Sequence, residues 1–288
     1  MALVTAVGSL IIGLNLPGHP PAKQVVVVQE PVLQASPLTP PERNIALDYS
    51  VPKEFQGKNV AQTPLLPQEK VIALTFDDGP WPHTTEQVLD ILKQYDIKAT
   101  FFWIGKNVKS FPETAKLVVD AGHVIGNHTW HHWYRHMNPI TAAQEVESTA
   151  EIIYQTTGVR TSLFRPPGGI LNNGPADYAK KEKYAVMMWS ADSIDYRHFS
   201  VSRLVNNVLK HAKSGGIVLM HDGGGNRSQT VKALPKILAG LTERGYKFVT
   251  VRELLDLKDK ELKLATPSSI TATASQKPHK QLQKRLAG

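Results

Sequence analysis

Short apolar runs alternate with longer amphipathic stretches through the middle of the chain. The run "VIALTF" at 71–76 is apolar throughout and has the length of a strand buried on both faces. Apolar positions then recur at helical spacing over 85–95, where Thr84 and Gln87 have the spacing of a capping box. A strand is predicted over 99–104, then a helix over 112–121 that Gly122 ends at its C′ position. Residues 123–126 read as a short extended segment. Asn138-Pro139 offers an N-cap followed by a favourable first helical residue, and the long helix it opens should stop at Gly158. Strands at 162–164, 185–189, 217–220 and 247–249 alternate with helices at 175–183, 201–212 and 228–244, and a short last helix begins at Val251. Seven strands alternating with helices imply parallel pairing, in a (β/α) barrel or an open doubly wound sheet.

The flanks carry a different pattern. Residues 2–16 are apolar and break at Pro17, too short for a spanning helix but the size of a signal-peptide core. Residues 1–16 are therefore expected to be an export signal or an N-terminal anchor, although the usual basic start is missing. Residues 17–68 hold ten prolines and, apart from the apolar run at 25–28, no lasting period, so they read as an extended linker. A single domain is expected over 69–257, followed by a polar tail over 258–288 that is predicted to be disordered towards its end.

Composition narrows the chemistry. The chain has no cysteine, which excludes disulfides, thiolate metal sites and cysteine nucleophiles and leaves His, Asp and Glu as possible ligands. Its net charge of +8 could suggest a polyanion partner, but seven basic against two acidic residues from Lys258 onward supply +5 of it. The domain is nearly balanced, and no nucleic-acid partner is expected.

Polar residues gather just after the predicted strands: Asp77 and Asp78, then "NHTWHHW" at 127–133, "FRPPGG" at 164–169, "WSADSIDY" at 189–196 and "VLMHDGGG" at 218–225. In parallel α/β folds the carboxyl ends of strands form the ligand face, so five loops would deliver polar groups to one mouth. Two adjacent carboxylates disfavour each other's ionisation unless a cation stabilises them. A cation is available if His128 and His132, four apart, share one face of a helical turn; His128 with His131 is the alternative pair. One carboxylate of Asp77-Asp78 would complete a two-His, one-carboxylate shell, and the other could take a proton from water activated by the metal. Turn residues before Gly79-Pro80 and a surface histidine cluster are the plainer readings, but they do not explain why the two groups coincide.

The motifs "TFDDGP", "HTWHH", "RPPGG", "DSIDY" and "LMH", in this order and spacing, resemble the five signatures of polysaccharide deacetylases, carbohydrate esterase family 4 or the NodB homology domain. The resemblance spans about 69–257. It implies a distorted (β/α)7 TIM-like barrel and a metal-dependent hydrolase that removes acetyl groups from N-acetylated glycan polymers. It implies Asp78, His128 and His132 as ligands of one divalent metal, zinc first, with cobalt, nickel or another divalent ion also compatible. It implies Asp77 as general base, Arg165 as the residue orienting it, His221 as the acid that protonates the leaving amine, and Asp195 as its support. Leu219 would line the acetyl pocket, and the Gly168 N–H would donate to the oxyanion. Two departures stand out: Gly168 occupies a place usually held by Tyr, and Tyr196 a place usually held by Trp.

Peptidoglycan is the expected substrate, with chitin oligomers or O-acetylated glycans as alternatives, and the expected form is a monomer in the cell envelope or periplasm, with a membrane tether through residues 1–16 as one option. A glycoside hydrolase with two carboxylates would need them about 5–9.5 Å apart across a glycosidic bond, which adjacent Asp residues beside a His pair suit poorly. A non-catalytic glycan-binding envelope protein is the competing class outside enzymes. Trp130, Trp133 and Tyr134 could stack on sugar rings, although packing is the commoner role of such residues.

Overall fold

A computed structural model describes residues 47–65 and 70–265. Along the chain, β1 (Leu47–Tyr49) and β2 (Asn59–Val60) precede β3 (Val71–Asp77) and α1 (Thr84–Gln94). Two helices, α2 (Gly105–Ser110) and α3 (Pro112–Asp120), follow β4 (Thr100–Trp103), and α4 (Pro139–Thr157) follows β5 (Val124–Asn127). Next come β6 (Val159–Thr161), β7 (Leu163–Phe164), α5 (Pro175–Lys181), β8 (Ala185–Met187), β9 (Ala191–Asp192) and α6 (Val201–His211). The described chain closes with β10 (Gly216–His221), α7 (Ser228–Glu243), β11 (Lys247–Val249) and α8 (Val251–Ala265).

Nine strands form one all-parallel sheet in the order β2-β8-β7-β5-β4-β3-β10-β9, with β11 pairing the first half of β3. The sheet curls into the incompletely closed barrel expected of a distorted (β/α)7 fold. Side chains of a strand alternate between its two faces, and here the two phases have separate fates. Ile72, Leu74 and Phe76 point outward into the layer shared with the helices, where Phe76 stacks on Phe101 with ring centroids 5.1 Å apart. Val71 and Ala73 point inward with Phe102, Val124, Leu163, Met187 and Ile217, and Val251, Leu254 and Leu255 of α8 close that interior from below. The barrel is thus apolar at its base. The inward phase continues upward to Thr75 and Asp77, both buried.

Local signals explain the helix ends that were read correctly. Asn138 accepts a hydrogen bond from the Thr141 N–H at 2.9 Å, Pro139 opens α4, and Gly158 ends it at φ 72°. Several expectations need correction. Thr84 and Gln87 form no capping box: the cap of α1 is His83, and no side chain bonds to the helix start from it. Residues 47–65 are not linker, because β1 pairs β6, β2 pairs β8, and Val51, Phe55 and Val60 are buried. Counting prolines cannot see strands of two or three residues. The tail does not begin at 258 either, since α8 continues to Ala265 with Asp259 facing inward. The predicted N-terminal segment at 1–16 lies outside the described residues, as does the tail beyond 265. Among the described residues no helix is long and apolar enough to cross a membrane.

Candidate active site

The candidate side chains continue the inward phase of their strands. Val71, Ala73 and Thr75 lead to Asp77; Val124 and Gly126 lead to His128; Leu163 leads to Arg165; Ile217 and Leu219 lead to His221. Register completes the assembly: His221 lies directly opposite Asp77, and Phe102 flanks Asp77 on the other side. Gly126 is required in this arrangement, because a Cβ there would meet the Phe102 ring at 2.4 Å. Asp78 leaves the pattern at φ 74°, in the left-handed region, and so turns its carboxylate towards the same mouth.

Arg165 has no exposed surface. Its Nη1 donates to Asp77 Oδ1 at 2.7 Å and to Thr75 Oγ1 at 2.8 Å, its Nε donates to the Met187 carbonyl, and its guanidinium lies 4.1 Å from the Phe102 ring centroid. Those contacts hold a buried charge pair in one geometry.

His128 Nδ1 lies 2.6 Å from the Arg165 carbonyl oxygen, which can only accept, so the proton sits on Nδ1 and Nε2 is left with its lone pair. Burial, and then the neighbouring His132, push His128 down to about 3, so the ring is neutral at neutral pH. Burial likewise lowers His132. Asp78 Oδ1 lies 3.2 Å from His132 Nε2 and 3.6 Å from His128 Nε2, and it is buried without a hydrogen-bond partner. One donor atom from each residue lies within 4.8 Å of the others. Donors around a tetrahedral zinc with bonds of about 2.0–2.1 Å stand roughly 3.4 Å apart, so this donor set fits a divalent cation. An orphaned carboxylate oxygen facing the His128 lone pair and the His132 Nε2 has a physical reason once a cation lies between them.

The two histidines do not share a helical turn, as the sequence spacing suggested. Residues 128–132 are an irregular loop in which Thr129 and His132 have φ values of 65° and 62°. That loop also removes the alternative pair, since His131 Nδ1 turns to Glu145 Oε1 at 2.5 Å.

Across the mouth, His221 Nδ1 meets Asp195 Oδ1 at 2.7 Å, and the His221 N–H donates to Asp195 Oδ2 at 2.8 Å. Thr230 donates its hydroxyl to the same oxygen. Burial works against a charge on His221, but Asp195, with the Asp78 and Asp77 carboxylates, outweighs it and lifts His221 to about 9. Burial alone would raise Asp195; the imidazolium and the Thr230 hydroxyl turn that into a net lowering. Tyr196 stands edge-on to His221 at 5.6 Å.

Asp77, Asp78, His128, His132, Leu219 and His221 line one cleft of about 760 Å³, and Gly168 and Tyr196 line it too. Arg165 and Asp195 lie behind it. At Gly168, with φ 60°, a Cβ would fall 2.7 Å from Cε1 of Tyr134, so the Tyr134 ring stands where a side chain at 168 would begin. Sequence reasoning missed Thr75, Thr230, Glu145 and Arg227. Arg227 also lines the cleft, with Nη2 3.8 Å from Asp78 Oδ2. Of these, Thr75 carried a usable signal, because it precedes Asp77 by two and therefore shares its face.

Residues 66–187 match the family model described as polysaccharide deacetylase. A peptidoglycan-N-acetylglucosamine deacetylase of Bacillus cereus is 47% identical over 192 residues, 66% of this chain and 90% of the relative. The peptidoglycan-N-acetylmuramic acid deacetylase PdaC of Bacillus subtilis is 37% identical over 67% of this chain, which spans 40% of that longer protein. Among solved structures, the Bc1960 peptidoglycan N-acetylglucosamine deacetylase superposes with a TM-score of 0.65 at 33% identity, covering 70% of this chain and 94% of that one.

Proposed function

Since the chain belongs to the polysaccharide deacetylase family, we propose that it hydrolyses the N-acetyl amide of peptidoglycan sugars, releasing acetate and leaving an amine. The names of its relatives support peptidoglycan over other acetylated glycans. One observation carries the reading. A three-donor cluster, with Asp78 and His128 buried and His132 half-buried, lies in one cleft between an arginine-held carboxylate and a carboxylate-held imidazole.

Asp78, His128 and His132 would hold one divalent ion, zinc by first choice, with cobalt or nickel suited to the same donors. Bound there, such an ion supplies Lewis acidity for the acetyl carbonyl and lowers the pKa of water. The protein's own groups do the rest. Asp77 accepts the proton of the attacking water; Arg165 occupies its Oδ1, which leaves Oδ2 for that task. The Gly168 N–H donates to the oxygen that becomes negative as water adds to the carbonyl. His221, with Nδ1 tied to Asp195, presents its other nitrogen to the amide nitrogen, which must gain a proton before the C–N bond breaks. Leu219 gives the acetyl methyl an apolar floor.

A wall substrate would place the reaction outside the cytoplasm. Residues 1–16 as an export signal or tether, the start of the proline-rich segment as spacer, and a monomeric catalytic domain complete the proposal. Acetate release from purified peptidoglycan, chitin oligomers and acetylated xylan, with and without chelator, tests it. Release from peptidoglycan should stop with chelator and return with zinc. Release only from another glycan would overturn the substrate, and tight metal binding without any acetate would support the glycan-binding reading instead.

A further inference from the structure

Glu145 is a buried carboxylate that the reaction does not use, on α4 and 3% exposed. Its Oε2 accepts the backbone N–H of Trp130 at 3.0 Å and of His131 at 2.8 Å, while its Oε1 meets His131 Nδ1 at 2.5 Å. These three bonds fall on the middle of the loop whose two ends are His128 and His132. That loop needs holding. Thr129 and His132 both sit in the left-handed region, which costs non-glycine residues about 1 kcal/mol or more each. Other bonds fix its first half: the Thr129 N–H donates to Asn127 Oδ1, and the Gly105 N–H donates to the Thr129 carbonyl. Within the second half, the His132 N–H reaches Thr129 Oγ1 at 3.1 Å, a bond internal to the loop. Glu145 is the carboxylate that ties the second half to a long helix. The tie extends outward as well, because the His131 ring that it fixes stacks on Trp133 at 4.0 Å and 3°, and Arg135 covers Trp133 at 4.1 Å.

We propose that Glu145 is a positioning residue for the metal centre: by clamping two backbone N–H groups and the His131 ring, it holds His132 opposite His128 and Asp78. This rests on the reading of Asp78, His128 and His132 as ligands. Groups behind metal ligands typically change affinity about 10–100-fold when removed. The clamp acts through hydrogen-bond acceptance rather than charge, since a glutamine oxygen can accept the same two N–H groups and its amide can face the other His131 tautomer.

Titration of the metal-free protein with Co²⁺, followed by visible absorption and by competition with a chelator, reads affinity and coordination without any turnover. Glu145→Ala should bind Co²⁺ about 10–100-fold more weakly, with an altered spectrum, and Glu145→Gln should recover affinity to within a few-fold of wild type. Should the alanine variant fail to fold, Glu145→Asp, one methylene short of bridging both sites, should show the same loss. Melting of each metal-free variant is measured in parallel. If Glu145→Ala or Glu145→Asp melts earlier yet binds Co²⁺ within twofold of wild type, the residue serves only stability and the proposal is overturned. His132→Ala separates the two levels: if it too binds like wild type, the ligand assignment has failed rather than the clamp.

Discussion

Replacing Asp195 with asparagine removes the charge behind His221 and keeps its shape. In the wild type that carboxylate, 2.7 Å from Nδ1, is the main reason the buried ring is lifted to about 9. Against an ordinary value near 6.5 this is about 2.5 units, or roughly 3 kcal/mol in favour of the imidazolium. At pH 7 such a ring is about 99% protonated, while one returned to 6.5 is protonated about a quarter of the time. In Asp195→Asn burial acts without its principal opponent, so His221 should fall to 6.5 or lower. NMR titration of the metal-free proteins reads this directly, with the variant at least about 2 units below wild type. In the loaded enzyme the cation lowers His221 in both proteins, so the observable is the displacement between them. The alkaline limb of kcat/KM should move at least about one unit towards acid, and the rate at pH 7 should drop at least roughly fourfold. Stability has a definite sign as well. A histidine with a raised folded pKa contributes fully below 6.5 and loses that contribution as pH rises through about 9. Metal-free wild type should therefore lose up to roughly 3 kcal/mol across that window, and Asp195→Asn much less. A wild-type His221 titrating near 6.5, or coincident alkaline limbs, would refute His221 as the charged donor.

Asp77→Asn should keep metal affinity, measured by Co²⁺ titration, while kcat falls by about 100-fold or more. Arg165→Met leaves the Asp77 carboxylate buried without its partner, and denaturant unfolding should show a loss of about 3–5 kcal/mol. Tyr134→Ala should raise KM for polymeric substrate about 2–12-fold with little change in kcat, since a stacked aromatic contributes about 0.5–1.5 kcal/mol and touches no reacting atom. Asn138→Ala should cost about 1 kcal/mol in thermal unfolding and leave kcat/KM unchanged, because it removes only the cap of α4.

Much of the candidate site was readable because its side chains extend a two-residue alternation that the strands already carry. The pairs Thr75 and Asp77, and Leu219 and His221, share parity and therefore a face, and strand-end placement did the rest. Asp78 and His132 break that parity through left-handed backbone, which nothing in their local composition announces. Glu145 was invisible for another reason: on an amphipathic helix a glutamate reads as a solvated residue, and only the folded loop above it reveals two amides with nowhere else to go. The strands β1 and β2 were missed because three and two residues hold too little pattern to distinguish from a proline-rich spacer.

The contact between Gly168 and Tyr134 makes two distant stretches of chain share one flank of the cleft. A larger residue at 168 has to move the Tyr134 ring and carry the strain of φ 60°, and loss of the tyrosine removes only the first of these obstacles. A change of glycan preference made at 134 or 168 should therefore involve the other position, whereas Asp77 and His221 are fixed on neighbouring strands.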